Sequence, residues 1–551
     1  MLQLAEVIIS IILAIPVFYL VMRYNLHMFQ LNGYKNNEQR SWIKKNLRKQ
    51  LMLIFPGLAG VFLMIFPADW LRIVLCIYWL IVIKYYSYLK KNNSKKKLVF
   101  TKRVQRLIIT DLILNLIVII PVIYFLGYLY LPAVMGLLIP LQAVLLIPVN
   151  VINRPIEKAV NRYFINDAKK KLKQVSGLTV IGVTGSYGKT SVKFYLQALL
   201  QGRFHVLVTP ESYNTPMGVV KTIRESLQPT HEIFVCEMGA RYVGDIKEIC
   251  EIVHPAHGVI TSIGPQHLET FGGMEHIVDT KFELADALPE GGFLFLNGDN
   301  EWIVERSKRY HRTEAGNAGT FEEFSKEGKR KDQTAIKGDR KVIFYRNQVS
   351  GEGYQAGNLH LSQLGTEFDV TAPDGETETF QTRLVGEHNV INIIGAIAVA
   401  HTLGIPLKEL KVPVRRLQPI PHRMQMLEQG NVTIIDDAYN SNPVGSKAAV
   451  ETLALFDGIR ILITPGMVEL GKEEDLYNYK FGTYAAKCCD YILLVGREHV
   501  RPIQKGAVES GFDEKRCLMY DDLKDALAFA YSMKGDGHKY ILLENDLPDN
   551  Y

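Results

Sequence analysis

Residues 182–191 read GVTGSYGKTS, the pattern of a loop that binds nucleotide phosphates. The backbone amides of Thr184, Gly185, Ser186 and Gly188 can cradle phosphate oxygens, with Ser191 on the helix that follows. Lys189 can reach the terminal phosphates, and the Thr190 hydroxyl can ligate magnesium. The match departs from the strict Walker spacing by one residue, because Val183 stands where the first glycine belongs. A glycine turn that only joins a strand to a helix is the plainer alternative. The adjoining lysine and threonine weigh against it.

Such a loop needs a strand before it and a helix after it. LTVIGV precedes it and KTSVKFYLQALL follows. From Leu178 onward, short apolar runs (HVLVT, IFVCEM, GVITSI) alternate with amphipathic segments, which predicts a mostly parallel sheet covered on both faces. VTIIDDA, IRILITP, YILLVG and KYILLEN repeat that rhythm toward the C-terminus. A boundary is expected near Leu417, in the proline-bearing RRLQPIPHR, giving a central ATP-binding domain over 178–417 and a C-terminal Rossmann-like domain over 418–551. Residues 310–385 are polar and glycine-rich, and their short alternating stretches, such as TEFDVTA, predict a small antiparallel appendage.

Residues 1–152 are of another kind. Five apolar runs, near 5–22, 51–67, 70–89, 107–131 and 132–152, approach or exceed the roughly 20 residues a membrane-spanning helix needs. The run at 51–67 is the shortest, and prolines interrupt the last two. No basic region precedes the first run and no small-residue cleavage site follows it, so a removable signal peptide is not expected. Basic loops, around residues 23–50 and 90–106, alternate with the nearly uncharged connections PADWLR and GYLYLP. With about five spans, that bias puts the N-terminus outside and the chain from about residue 153 in the cytoplasm. Residues 153–177 read as an amphipathic linker, either lying on the inner leaflet or packing on the soluble part. The net charge of +6 sits mostly beside the apolar runs, a membrane pattern rather than a nucleic-acid one. The six cysteines form no C-x-x-C pair and read as reduced core residues.

The ordered blocks TGSYGKTSVK, VCEMGA, TSIGPQHLETFGGMEHIVDTKFE, FLFLNGDN, GEHNVINIIGAIAVAHTLGI, PHRMQML, IIDDAYNSNP and PGMVELG resemble the Mur ligases, most of all the MurF branch, which adds D-alanyl-D-alanine to a cell-wall precursor. The resemblance covers nearly all of residues 178–475 and is weaker beyond. It implies an ATP-dependent amide ligase that activates a carboxylate as an acyl phosphate for attack by an amine. It implies magnesium held by Thr190, Glu237 and His267, and a carbamylated Lys281 as an anion beside the metals. By the same resemblance Asn297 and Asn389 stand near the adenine side, with His388 a structural neighbour. Arg423 and Asp437 contact nucleotide from the C-terminal domain, whose closure excludes water. Asn214, Thr215, Tyr439 and Asn440 are the substrate-binding candidates, and Lys189, Lys281 and His267 the catalytic ones.

Two departures bear on the substrate. Apolar runs occupy the place of the family's UDP-sugar-binding domain, and the chain ends in LLENDLPDNY where MurF enzymes carry a lysine-glycine-serine-arginine motif. Three readings stay open: a membrane-bound ligase acting on a cell-envelope intermediate, lipid-linked or not; a membrane synthase of the poly-γ-glutamate type; and a nucleotide-binding scaffold without catalysis. The first two imply an amino acid or dipeptide as the incoming amine and membrane lipid as a partner.

Overall fold

The computed structural model describes residues 2–46, 54–66, 69–92, 97–310, 341–348, 351–438, 441–497, 499–533 and 537–545. The chain forms two compact units, one over Met1–Tyr163 and one over Phe164–Asp546.

The first unit contains α1 (Leu2–Leu31), α2 (Asn36–Lys45), α3 (Ile54–Ile65), α4 (Asp69–Asn92), α5 (Lys102–Leu126) and the part of α6 (Leu131–Gln174) up to Tyr163. Among the described residues, four helices are long and apolar enough to cross a membrane: α1, α4, α5 and α6. The remaining expected run, 51–67, holds α3, whose 12 described residues span about 18 Å at 1.5 Å per residue, against a hydrocarbon core of about 30 Å. The rest of that run, residues 51–53 and 67, lies outside the described residues.

Burial along α5 is inverted relative to a helix in water. On α5, Ile113, Ile117 and Ile120 are more than half exposed, while Asp111 and Asn115 are buried. Polar contacts tie α5 to α6: the Gln142 amide donates to Asn115 Oδ1 at 3.2 Å, Asn153 donates to Thr110 Oγ1 at 2.8 Å, and Arg106 lies 2.6 Å from Glu157. Apolar side chains outward and polar side chains inward are what a lipid solvent favours.

The helix α6 runs unbroken for 44 residues through Pro140, Pro148 and Pro155. The last apolar run and the amphipathic segment after it are therefore one helix rather than a span and a separate linker. Phe164, Ile165, Ala168, Leu172 and Val175 pack into the apolar core of the second unit. Of the two settings expected for residues 153–177, the C-terminal part takes the protein-packed one, whereas Ile156 remains exposed.

The second unit is built on two sheets. The first has nine strands in the order β2-β3-β1-β4-β5-β6-β7-β8-β9. These are β1 (Thr179–Thr184), β2 (Val206–Val208), β3 (Ile233–Glu237), β4 (His257–Ile260), β5 (Phe293–Asn297), β6 (Lys341–Arg346), β7 (Tyr354–Ser362), β8 (Gly365–Thr371) and β9 (Thr377–Thr382). β2 through β7 pair in parallel, and β7-β8 and β8-β9 are antiparallel. Strand β1 is buried almost throughout because both of its faces are covered. Helices Lys189–Leu200 and Glu387–Thr402 contribute Val192, Leu196, Leu199, Ile393 and Ile397 to the core on one side. Helices Pro216–Ser226, Asp245–Val253 and Met274–Ala287 contribute to the core on the other. The antiparallel strands expected as an appendage instead continue this sheet at its edge, where Phe368 and Phe380 are fully buried. Residues 311–340 of that segment lie outside the described residues.

Between helix Leu407–Arg415 and β10 (Gln425–Gln429) the chain passes to the second sheet, on either side of the expected boundary at Leu417. Its order is β10-β11-β15-β12-β13-β14, all parallel except β10-β11. The strands are β11 (Val432–Asp437), β12 (Ile459–Thr464), β13 (Tyr491–Val495), β14 (Cys517–Tyr520) and β15 (Lys539–Glu544). Cys236, Cys250, Cys488, Cys489 and Cys517 are buried free thiols, as the reduced-core reading expects.

Candidate active site

The loop after β1 is held from behind by the segment that follows β4. Ser186 N donates to Ser262 O at 2.6 Å, Ser186 Oγ donates to Gly264 O at 3.0 Å, and Tyr187 OH donates to Pro265 O at 2.8 Å. Thr184 Oγ1 donates to Met238 O, at 3.0 Å. Two positions require glycine. Gly185 and Gly188 have φ of +150° and +79°, and a Cβ would overlap Thr261 Oγ1 at the first and Asn392 Oδ1 at the second. A side chain at either would also fill the cradle that phosphate oxygens need. Lys189 starts the helix, and its ammonium donates to Gly185 O (2.8 Å) and Ser186 O (3.0 Å), across the mouth of the loop. Burial first, then the charge of Arg423, pushes Lys189 down to about 8 against the pull of Glu237.

Glu237, at the end of β3, is buried beside this loop. Its Oε1 accepts from Thr190 Oγ1 (3.1 Å) and from the Asn214 amide (2.9 Å), and Lys193 Nζ lies 3.0 Å from its Oε2. A hydroxyl and a carboxylate oxygen side by side form a hard-donor set of the kind magnesium takes. Of the two substrate candidates nearby, Asn214 touches this carboxylate, while Thr215 caps helix Pro216–Ser226 by accepting from Gly218 N at 3.3 Å.

Lys193 is a residue that sequence reasoning passed over. Its side chain is fully buried, and it donates also to Glu211 O. The one signal available was its position one helical turn beyond Lys189 on the same face.

Lys281 lies on helix Met274–Ala287 and is 2 % exposed. Burial, and after it the charge of Lys189, pushes its amine down to about 7. His267 is lowered chiefly by burial, with Glu469 opposing. Its Nδ1 meets Glu469 Oε2, a contact from the C-terminal domain that the sequence did not disclose.

A cavity of about 760 Å³ opens between the two sheets' domains. Gly188, Ser191, Asn297, Asn389, Arg423 and Asp437 all line it. Asn297 is fixed by donating to Thr261 O (2.9 Å), and Asn389 by accepting from Tyr195 OH (2.8 Å). Asp437, raised to about 6 by burial, accepts from Met424 N at 3.2 Å. His388 is pushed down to about 4 by burial, which suits a structural neighbour more than a base. Tyr439 and Asn440 lie outside the described residues. Glu544, the last residue of β15 and part of the divergent C-terminal stretch, also lines the cavity; it accepts from Ser441 Oγ and Ser446 Oγ and is raised to about 8 by burial. The loop cradle, the lysine, the hard oxygen pair and a cavity of this size fit a nucleoside triphosphate with magnesium.

Residues 183–400 match the Mur ligase middle domain, and residues 422–543 match the glutamate ligase domain of Mur ligases. The UDP-N-acetylmuramoyl-tripeptide–D-alanyl-D-alanine ligase of Escherichia coli K12 is 27% identical over 378 residues, 67% of this chain and 77% of that one. The enzyme of the same name from Mycobacterium bovis is 32% identical over 281 residues, and there the match spans about half of each chain (50% and 49%). The crystal structure of MurF from Thermotoga maritima in complex with ADP superposes with a TM-score of 0.58 at 25% identity, covering 70% of this chain and 80% of that one. A MurF structure from Acinetobacter baumannii, at 23% identity and a TM-score of 0.59, shares the fold. With both domains matched in order around one phosphate loop and one cavity, the chain belongs to the Mur ligase family of ATP-dependent acid–amino-acid ligases.

Proposed function

We propose that this protein is a membrane-bound ligase that joins the amine of an amino acid or dipeptide to a carboxylate on a cell-envelope precursor, with a lipid-linked precursor as the favoured acceptor. The observation that carries the proposal is a pairing within one chain. Thr190 hydrogen-bonds Glu237 beside the Lys189 loop, Lys281 feels the charge of Lys189 and His267 that of Lys281, and four helices apolar enough to span a membrane precede this part of the chain. All five residues are present in the sequence, which disfavours a scaffold without catalysis.

Thr190 and Glu237 would hold the magnesium, with His267 completing a second site. Bound magnesium would neutralise phosphate charge while the acceptor carboxylate attacks the terminal phosphate. Lys189 would stabilise the charge that builds on the transferred phosphoryl group. Lys281, as its carbamate, would supply an anion beside Lys189. Arg423 and Asp437 would hold the nucleotide from the C-terminal domain, so that closure shields the acyl phosphate from water until the amine attacks. The alternating basic loops support an outside N-terminus and a cytoplasmic ligase part, where ATP is available.

A single helix would serve as an anchor, so several spans support acceptor recognition by the membrane part. Replacing residues 1–152 with one unrelated transmembrane helix is expected to preserve ATP and magnesium binding but abolish ligation of the native acceptor in membranes. Wild-type ligation by that chimera would reduce the spans to a tether and remove the lipid-acceptor reading.

A further inference from the structure

The contact between His267 and Glu469 joins the two domains of the ligase at the residue expected to hold a metal. His267 sits at φ +52° at the head of the short helix Leu268–Phe271, and Glu469 sits at φ +66° in the loop that follows β12. Non-glycine residues seldom adopt this backbone region, and here two of them face each other. The surrounding contacts hold both in place. Glu269 N donates to Glu469 O at 3.5 Å, and Arg241 Nη2 lies 3.2 Å from Glu469 Oε1. Leu268 packs into the apolar cores of both domains.

A carboxylate can only accept, so its partner nitrogen, Nδ1, carries the imidazole proton and Nε2 keeps its lone pair. Histidines that ligate metals are commonly oriented in this way by a carboxylate behind them. We propose that Glu469 is a positioning residue: it fixes the tautomer and direction of His267 for metal binding, and because it comes from the C-terminal domain it makes domain closure and completion of the metal site one event. This rests on the ligase reading above. Arg241, on the middle domain, holds the second carboxylate oxygen and so sets the angle at which Glu469 meets the imidazole.

The test is Mn²⁺ binding to the full-length protein with a non-hydrolysable ATP analogue, read by electron paramagnetic resonance. Glu469→Ala is expected to weaken Mn²⁺ binding by about 10–100-fold. Glu469→Gln should stay near wild type, since its amide oxygen accepts the same hydrogen bond. If the alanine variant is unstable, Glu469→Met keeps the bulk without the acceptor and should show the same loss. Unchanged affinity in the alanine or methionine variant overturns the proposal. Equal losses in the glutamine and alanine variants also overturn it, since they would make the carboxylate itself a ligand. Failure of the wild type to bind Mn²⁺ with nucleotide would instead sink the ligase reading.

Discussion

Lys189→Ala is expected to lower ATP-dependent turnover by about 10³-fold, the scale seen when a preorganised electrostatic donor is removed from a reacting centre. The side chain does little for the fold. Among the described residues, its side-chain hydrogen bonds go to carbonyls of its own loop, Gly185 O and Ser186 O, and burial already disfavours its charge. The thermal midpoint should therefore stay close to wild type while turnover collapses. Near-native turnover in the purified variant would remove this loop from the catalytic machinery.

Lys281→Ala should lose most activity, and short-chain carboxylates should restore part of it. Carbamylation requires a neutral amine, which attacks carbon dioxide and releases a proton. An ordinary lysine is almost wholly protonated at neutral pH. Lys281 is pushed down to about 7 by burial and then by Lys189, so the reactive amine is abundant there and its fraction rises as pH passes upward through that value. The product is an anion, and the neighbouring charge of Lys189 would favour it just as it disfavours the ammonium. Carboxylates added to the alanine variant would replace that anion. Full wild-type activity after exhaustive removal of carbon dioxide, with an unmodified Lys281 by intact mass, would contradict the carbamate.

Much of this was legible in the sequence because it is local. The run LTVIGV had to be a doubly covered strand, and it is β1; the glycines at 185 and 188 had to make a tight loop, and they do. The four long apolar helices of the first unit followed from length and hydropathy. What stayed hidden depends on distance along the chain. Glu469 reaches His267 across 202 residues, and no spacing rule connects them. Lys193 reads as an ordinary helix lysine until the fold buries it against Glu237. Thr215, a substrate candidate by resemblance, also caps a helix, a role open to any hydroxyl at a helix start. Residues 341–382 alternate as an independent hairpin would, and only pairing with β5 through β6 makes them part of the main sheet. The continuity of α6 was masked by its prolines, since Pro140, Pro148 and Pro155 are breakers in a soluble helix.

On the proposed function, this ligase extends a membrane-held carboxylate. Depleting the protein in its native cells and profiling both lipid-extractable and soluble envelope precursors by mass spectrometry tests it most directly. The expected result is accumulation of a lipid-soluble species with a free carboxylate, lighter than its wild-type counterpart by one amino acid or dipeptide residue. A lipid fraction that does not change, with a soluble nucleotide-linked precursor accumulating in its place, would contradict the account.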